Sequence, residues 1–189
     1  MKNIPLPIRP LLALVALCLT ATFLEAQPAD SRRELKIFEP AQRWQFLPGA
    51  EFAPGGKGTF TLAREDGRSV GVLTHDLTAG GNYVGGLTRI DIPEGYSELR
   101  FRVRADKPAS IAIRLADETG QTHQTPFRYA EAGDWQLLRL DLTRRAPLRF
   151  GGANDGQTHY PLKSLTLIIE RKGQDTPGEI RFADVVLQK

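Results

Sequence analysis

Leu99 to Arg114 reads LRFRVRADKPASIAIR. In its first half Leu99, Phe101 and Val103 alternate with Arg100, Arg102 and Arg104. In its second half Ile111 and Ile113, continued by Leu115, alternate with Ala112, Arg114 and Ala116. Successive side chains on a strand point to opposite sides, so each half is an amphipathic strand with one face for a core and one for an outer surface. Asp106-Lys107-Pro108-Ala109 carries turn residues and is expected to join the two strands. Small Ala112 and Ala116 beside arginines leave room for a ligand to lie across the outer face. The alternative is a solvated face whose arginines pair with neighbouring carboxylates.

Outward from this pair the chain repeats short apolar runs. Strands are expected near Leu35–Glu39, Thr59–Arg64, Ser69–Leu77, Tyr83–Ile90, Leu99–Ala105, Ser110–Asp117, His123–Tyr129, Trp135–Leu142, Leu165–Glu170 and Glu179–Leu187. Turn signals separate them, among them Pro54-Gly55-Gly56, Asp66-Gly67, Gly80-Gly81-Asn82, Thr119-Gly120 and Gly133-Asp134. No dozen residues keep a helical period. The pattern predicts an all-β antiparallel sandwich or jelly roll, with Phe101, Val103, Ile111, Ile113, Leu115 and Trp135 between its sheets.

Composition agrees with one globular domain: of 189 residues, 41% are hydrophobic and 25% charged. The net charge of +3 is spread along the chain, with no basic block of the kind a nucleic-acid binder carries, so no nucleic-acid partner is expected. Met1 to Ala26 reads as a secretory signal, with Lys2 and Arg9 before the apolar run Leu11–Leu24. That run is 14 residues long, short of the roughly 20 that span a bilayer. The expected product is secreted or periplasmic, with no stable membrane insertion after cleavage. Residues 27–34 read as a linker and 35–189 as the single domain. Cleavage would also remove the one cysteine, Cys18.

Several segments resemble the galactose-binding-like jelly rolls that serve as carbohydrate-binding modules and accessory domains of bacterial glycoside hydrolases. Ile37-Phe38-Glu39 followed by Trp44 is similar to their first-strand pattern. Leu99–Arg114 resembles their paired central strands, and Gly133-Asp134-Trp135-Gln136 followed by Leu140 a later one. Gly151-Gly152-Ala153-Asn154-Asp155-Gly156 resembles a loop of some accessory domains. Pro161–Glu170 and Gly178–Leu187, with Phe182-Ala183-Asp184-Val185, match their last two strands. The resemblance implies a galactose-binding-like fold and a non-catalytic carbohydrate-binding role. It also implies a structural Ca²⁺ between the chain start and the last strand, where Glu39 and Asp184 stand in the matching positions.

The residues themselves suggest where a saccharide would sit. Tyr83 lies in the Gly-rich stretch Gly80–Gly86, Arg102 and Arg114 project from outer faces, and Asp117, Gln121 and His123 cluster at a strand end. His159 and Tyr160 flank the loop that holds Asn154 and Asp155. Guanidinium, carboxylate and amide groups bind vicinal hydroxyls in pairs, while Tyr or His stacks on a sugar face. Trp44 and Trp135 are expected in the core.

The chain lacks an HExxH helix, a phosphate loop and a cysteine nucleophile. Two other readings stay open. One is a structural or assembly module whose arginine face meets an acidic protein partner. The other is a jelly-roll polysaccharide lyase, since Ser97-Glu98-Leu99-Arg100 and Gln121-Thr122-His123 are similar to two short alginate-lyase motifs.

Overall fold

A computed structural model describes residues 34–39 and 41–189. The expected secretory segment and most of the linker lie outside the described residues. Twelve strands run through the chain: β1 (Glu34–Lys36), β2 (Trp44–Leu47), β3 (Lys57–Glu65), β4 (Arg68–Asp76), β5 (Tyr83–Ile92), β6 (Glu98–Ala105), β7 (Ala109–Ala116), β8 (Thr122–Tyr129), β9 (Gln136–Asp141), β10 (Leu148–Phe150), β11 (Leu162–Glu170) and β12 (Gly178–Gln188). They form two antiparallel sheets. The first has the order β3-β4-β12-β6-β9, with β1 also paired to β12. The second has the order β10-β8-β7-β11-β5-β2. The inner faces pack on each other through one core, in which Leu99, Phe101, Val103, Ile111, Ile113, Leu165, Leu167 and Phe182 are buried. This is an all-β sandwich, as the alternating pattern predicts.

All ten expected strands are present, with boundaries shifted by a few residues. Two were not expected, β2 and β10. Both are edge strands of three or four residues, too short to show an alternation.

The relation of β6 to β7 differs from the expectation. The two do not pair. β6 lies in the first sheet between β12 and β9, and β7 lies in the second between β8 and β11. Residues 106–108 carry the chain from one sheet to the other. Alternation reports only that a strand has one buried face, and two strands facing each other across a core show the same pattern as two side by side.

Trp135 also departs from its expected place. It precedes β9 and is half-buried outside the sandwich, with the outward-pointing Arg104 guanidinium 4.7 Å from its ring centroid. The fully buried aromatic at that end is Tyr129, whose hydroxyl donates to the carbonyls of Ala105 and Asp134. Trp44 does join the core, stacked on Phe60 at 4.8 Å and edge-on to Phe38 at 5.1 Å. Glycine makes room for this aromatic group: a Cβ on Gly71 would lie 2.7 Å from both Phe38 and Phe60.

Candidate functional site

Each sheet turns its non-core side chains outward, and the two outer faces differ in chemistry. On the first sheet, Arg100, Arg102 and Arg104 of β6 lie beside Arg181 and Ala183 of β12 and Arg139 and Leu137 of β9. Carboxylates meet these arginines one by one. Glu65 joins Arg104 at 3.1 Å and also pairs with Arg181, which reaches Glu179 at 2.6 Å. Arg100 pairs with Glu34 at 2.5 Å and Arg139 with Glu98 at 2.7 Å. Asp184 stands between Arg102 at 3.4 Å and Arg68 at 3.6 Å. Beneath these long side chains Val70 and Ala183, though on the outer side, are 1% and 0% exposed. The small residues of that row let the ion pairs lie flat and cover the sheet.

The second sheet is arranged differently. Arg114 of β7 is in register with Thr166 of β11 and Gln124 of β8. Its Nε donates to Gln124 Oε1 at 2.6 Å. Its guanidinium lies 4.2 Å from the Tyr83 ring centroid and 5.6 Å from that of Phe150. The side chain is only 18% exposed, and its nearest carboxylate, Glu51, stops 4.0 Å away. A planar cation held by a ring and an amide is pre-set to donate in a fixed direction. Around it Phe52, Leu148 and Phe150 are exposed, an unusual concentration of large apolar side chains for a solvated sheet face.

Tyr83 itself is buried with Ile168 and Ala112 on the outer side of this sheet, in a small cluster separate from the main core. The loop between β2 and β3 roofs it: Phe52 meets its ring edge-on at 6.2 Å, and its hydroxyl donates to Glu51. That hydrogen bond lowers the Glu51 pKa, and burial raises that of Tyr83. Phe52, Tyr83, Arg114, Ile168, Glu170 and Lys172 line an open depression.

The residues named from sequence divide accordingly. Tyr83 and Arg114 come together. Arg102 does not join them, because it stands on the opposite outer face, tied to Asp184. Asp117, Gln121 and His123 do cluster, but as a buried structural node. Asp117 Oδ1 accepts from the backbone N–H groups of Thr119 and Gln121 and from the Thr119 hydroxyl. Its Oδ2 lies 3.2 Å from His123 Nε2 and accepts from the His159 N–H. Burial pushes the Asp117 pKa up, but the hydrogen bonds from Thr119, His123, His159 and Gln121 outweigh it and bring the pKa to about 2. Gln121 donates to the Gln157 carbonyl at 2.6 Å and accepts from the Gly156 N–H, so the node pins the Gly-rich loop 151–157. His159 and Asp155 pair with each other at 2.9 Å on the surface of that loop. Groups so committed brace the fold, and none of the three borders the depression beside Arg114.

Four residues of the second face escaped sequence reasoning: Glu51, Phe52, Gln124 and Phe150. The available signal was an aromatic placed against each of two Gly-rich loops, Phe52 before Pro54-Gly55-Gly56 and Phe150 before Gly151-Gly152.

Glu39 and Asp184, the positions the resemblance implies for calcium, both border one surface pocket. Lys36, Arg64 and Arg68 border it as well. Asp184 sits on the β-bulge of β12 with φ of 49° and is spoken for by two guanidinium groups. Among the described residues no three His, Cys, Asp or Glu side chains gather as metal ligands. This donor set suits guanidinium partners and does not fit a hard divalent cation, which needs six or more oxygens.

Among the described residues no helix is long and apolar enough to cross a membrane. No protein-family model matches the chain, and no curated protein matches its sequence. Solved structures do. A family 11 carbohydrate-binding module from Clostridium thermocellum, in complex with a β-1,3-1,4-mixed-linked tetrasaccharide, superposes with a TM-score of 0.63 at 12% identity, over 82% of this chain and 94% of that one. A family 30 carbohydrate-binding module of a cellulosomal cellulase of the same organism gives 0.56 at 13% identity, over 82% and 97%. An exo-β-agarase gives 0.52 at 10% identity, over 83% of this chain and 25% of its own. The chain therefore has the jelly-roll sandwich fold found in these carbohydrate-binding modules and in part of the agarase.

Proposed function

We propose that the chain is a secreted, non-catalytic carbohydrate-binding module or accessory domain, and that it binds saccharide on the outer face of the β10-β8-β7-β11-β5-β2 sheet. One observation carries the reading: Arg114 is held rigid by Tyr83 and Gln124 amid the exposed rings of Phe52 and Phe150. Oriented donors flanked by apolar rings are what a pyranose needs, since its hydroxyls take hydrogen bonds and its C–H face takes an aromatic. The fold shared with solved carbohydrate-binding modules supports it. Secretion rests on the Leu11–Leu24 run and its basic flank. The alternative of docking an acidic protein finds no support on the first sheet, where the arginines already have carboxylates.

A glycan array followed by calorimetry on the saccharide it selects tests this. Arg114→Ala is expected to lose about 1–3 kcal/mol of binding, because hydrogen bonds from a charged donor vanish. Equal affinity of the two proteins would remove this face from the site.

A further inference from the structure

We propose that this face takes an anionic saccharide, a polymer bearing carboxylate or sulfate groups, with one such group docked on the Arg114 guanidinium. The inference rests on the reading that the face binds carbohydrate. Its basis is the charge that the protein leaves uncompensated. Setting aside Lys163 and Asp91, which neutralise each other at 3.0 Å, the six strands turn Arg89, Arg114 and Arg128 outward against the single acid Glu170. Arg89 and Arg128 are exposed, and among the described residues neither has a carboxylate within 4 Å. The outward arginines of β6, β9 and β12 on the opposite sheet, by contrast, are paired.

The three cations also follow a diagonal across the sheet, bent at Arg114. Arg89 is in register with Ser164, two residues from Thr166, the partner of Arg114. Arg128 is in register with Ser110, four residues from Arg114 in the other direction and one strand further across. Ordinary strand spacing and rise then put successive Cα atoms on the order of 12 Å and 14 Å apart. A diagonal row of cations across an open sheet matches a chain that carries repeated negative charges.

Arg114 is the best placed of the three. Gln124 and Tyr83 hold the guanidinium in position, and the nearest anion, Glu51, stands 4.0 Å from Nη1, beyond hydrogen-bond range. An outer edge of two N–H groups held in this way is suited to a bidentate carboxylate or sulfate. Glu51, tied to the Tyr83 hydroxyl at the rim, is the negative charge that an incoming anion would have to pass.

The test is affinity electrophoresis and calorimetry of the whole chain against four polymers. Polygalacturonate supplies carboxylates and κ-carrageenan sulfates, while agarose and mixed-linked β-glucan are neutral. We expect binding to at least one anionic polymer, weakened at least about tenfold between about 20 mM and about 300 mM NaCl. Arg114→Gln should lose about tenfold or more, and Arg114→Lys, which keeps the charge but not the fork, should fall between. The exposed Arg89→Gln and Arg128→Gln should each lose about twofold to fivefold. They carry the test should Arg114→Gln fail to fold. Glu51→Gln should strengthen anionic binding about twofold to fivefold. Binding to the neutral polymers alone, or anionic binding indifferent to salt and to all three arginines, overturns the inference and leaves the carbohydrate-binding reading standing. Binding to none of the four, nor to any glycan on the array, overturns both.

Discussion

Two faces of the same sandwich carry the same kind of residue in the same kind of position, and they use it differently. On the first sheet, outward arginines alternate with core residues along β6, and every one of them meets a carboxylate from β1, β3 or β12. The result is a flat ionic cover over Val70 and Ala183. On the second sheet Arg114 has an amide and rings for neighbours, with a carboxylate only at 4.0 Å. An arginine on an outer face is thus neither a site nor a bystander by its own nature. What decides is whether the fold brings a carboxylate from another segment within reach of the guanidinium.

The core behind both faces sets the largest effect. Phe101 is fully buried against Phe127 and Phe182. Phe101→Ala is expected to cost about 3–5 kcal/mol in denaturant unfolding and to weaken both faces together. A loss below about 1 kcal/mol would mean that the two faces do not share one core.

Next comes the Asp117 node, which props the second face from behind its Gly-rich loop. Its folded pKa of about 2 lies below the ordinary 3.8. A carboxylate depressed by folding stabilises the protein above its unfolded pKa, and that contribution is lost as pH falls through the folded value. Stability should therefore drop by about 2 kcal/mol between about pH 4 and about pH 2. Asp117→Asn should remove this acid-sensitive step, and an unchanged acid profile in that variant would show that Asp117 is not its source.

The ionic cover is expected to matter less. Glu65→Gln breaks the contacts to Arg104 and Arg181, yet these pairs are partly exposed and screened, so the loss should be under about 1 kcal/mol and shrink further with salt. It should leave saccharide binding untouched, and a change in binding would erase the division of labour between the faces. Smallest of all is the metal effect. Since Asp184 is occupied by Arg68 and Arg102, neither chelator nor added Ca²⁺ should move the melting temperature. A rise with Ca²⁺ would show that the arginines yield the site to the ion.

The amino-acid sequence by itself determined ten of the twelve strands, the sandwich class, and the inward set from Leu99 to Leu115, because alternation and turn residues are local properties of the chain. It also placed Tyr83 and Arg114 among the candidate site residues. Only the tertiary structure decided which strands became neighbours. That step put Arg102 and Arg114 on opposite faces, drew Trp135 out of the core beneath Arg104, and turned Asp117, Gln121 and His123 into a buried brace. It also brought Glu51, Phe52, Gln124 and Phe150 around Arg114 from segments up to 99 residues apart in number. The physical reason is that a period of two fixes which side of a strand is buried, while pairing depends on long-range packing and register, which no local pattern encodes.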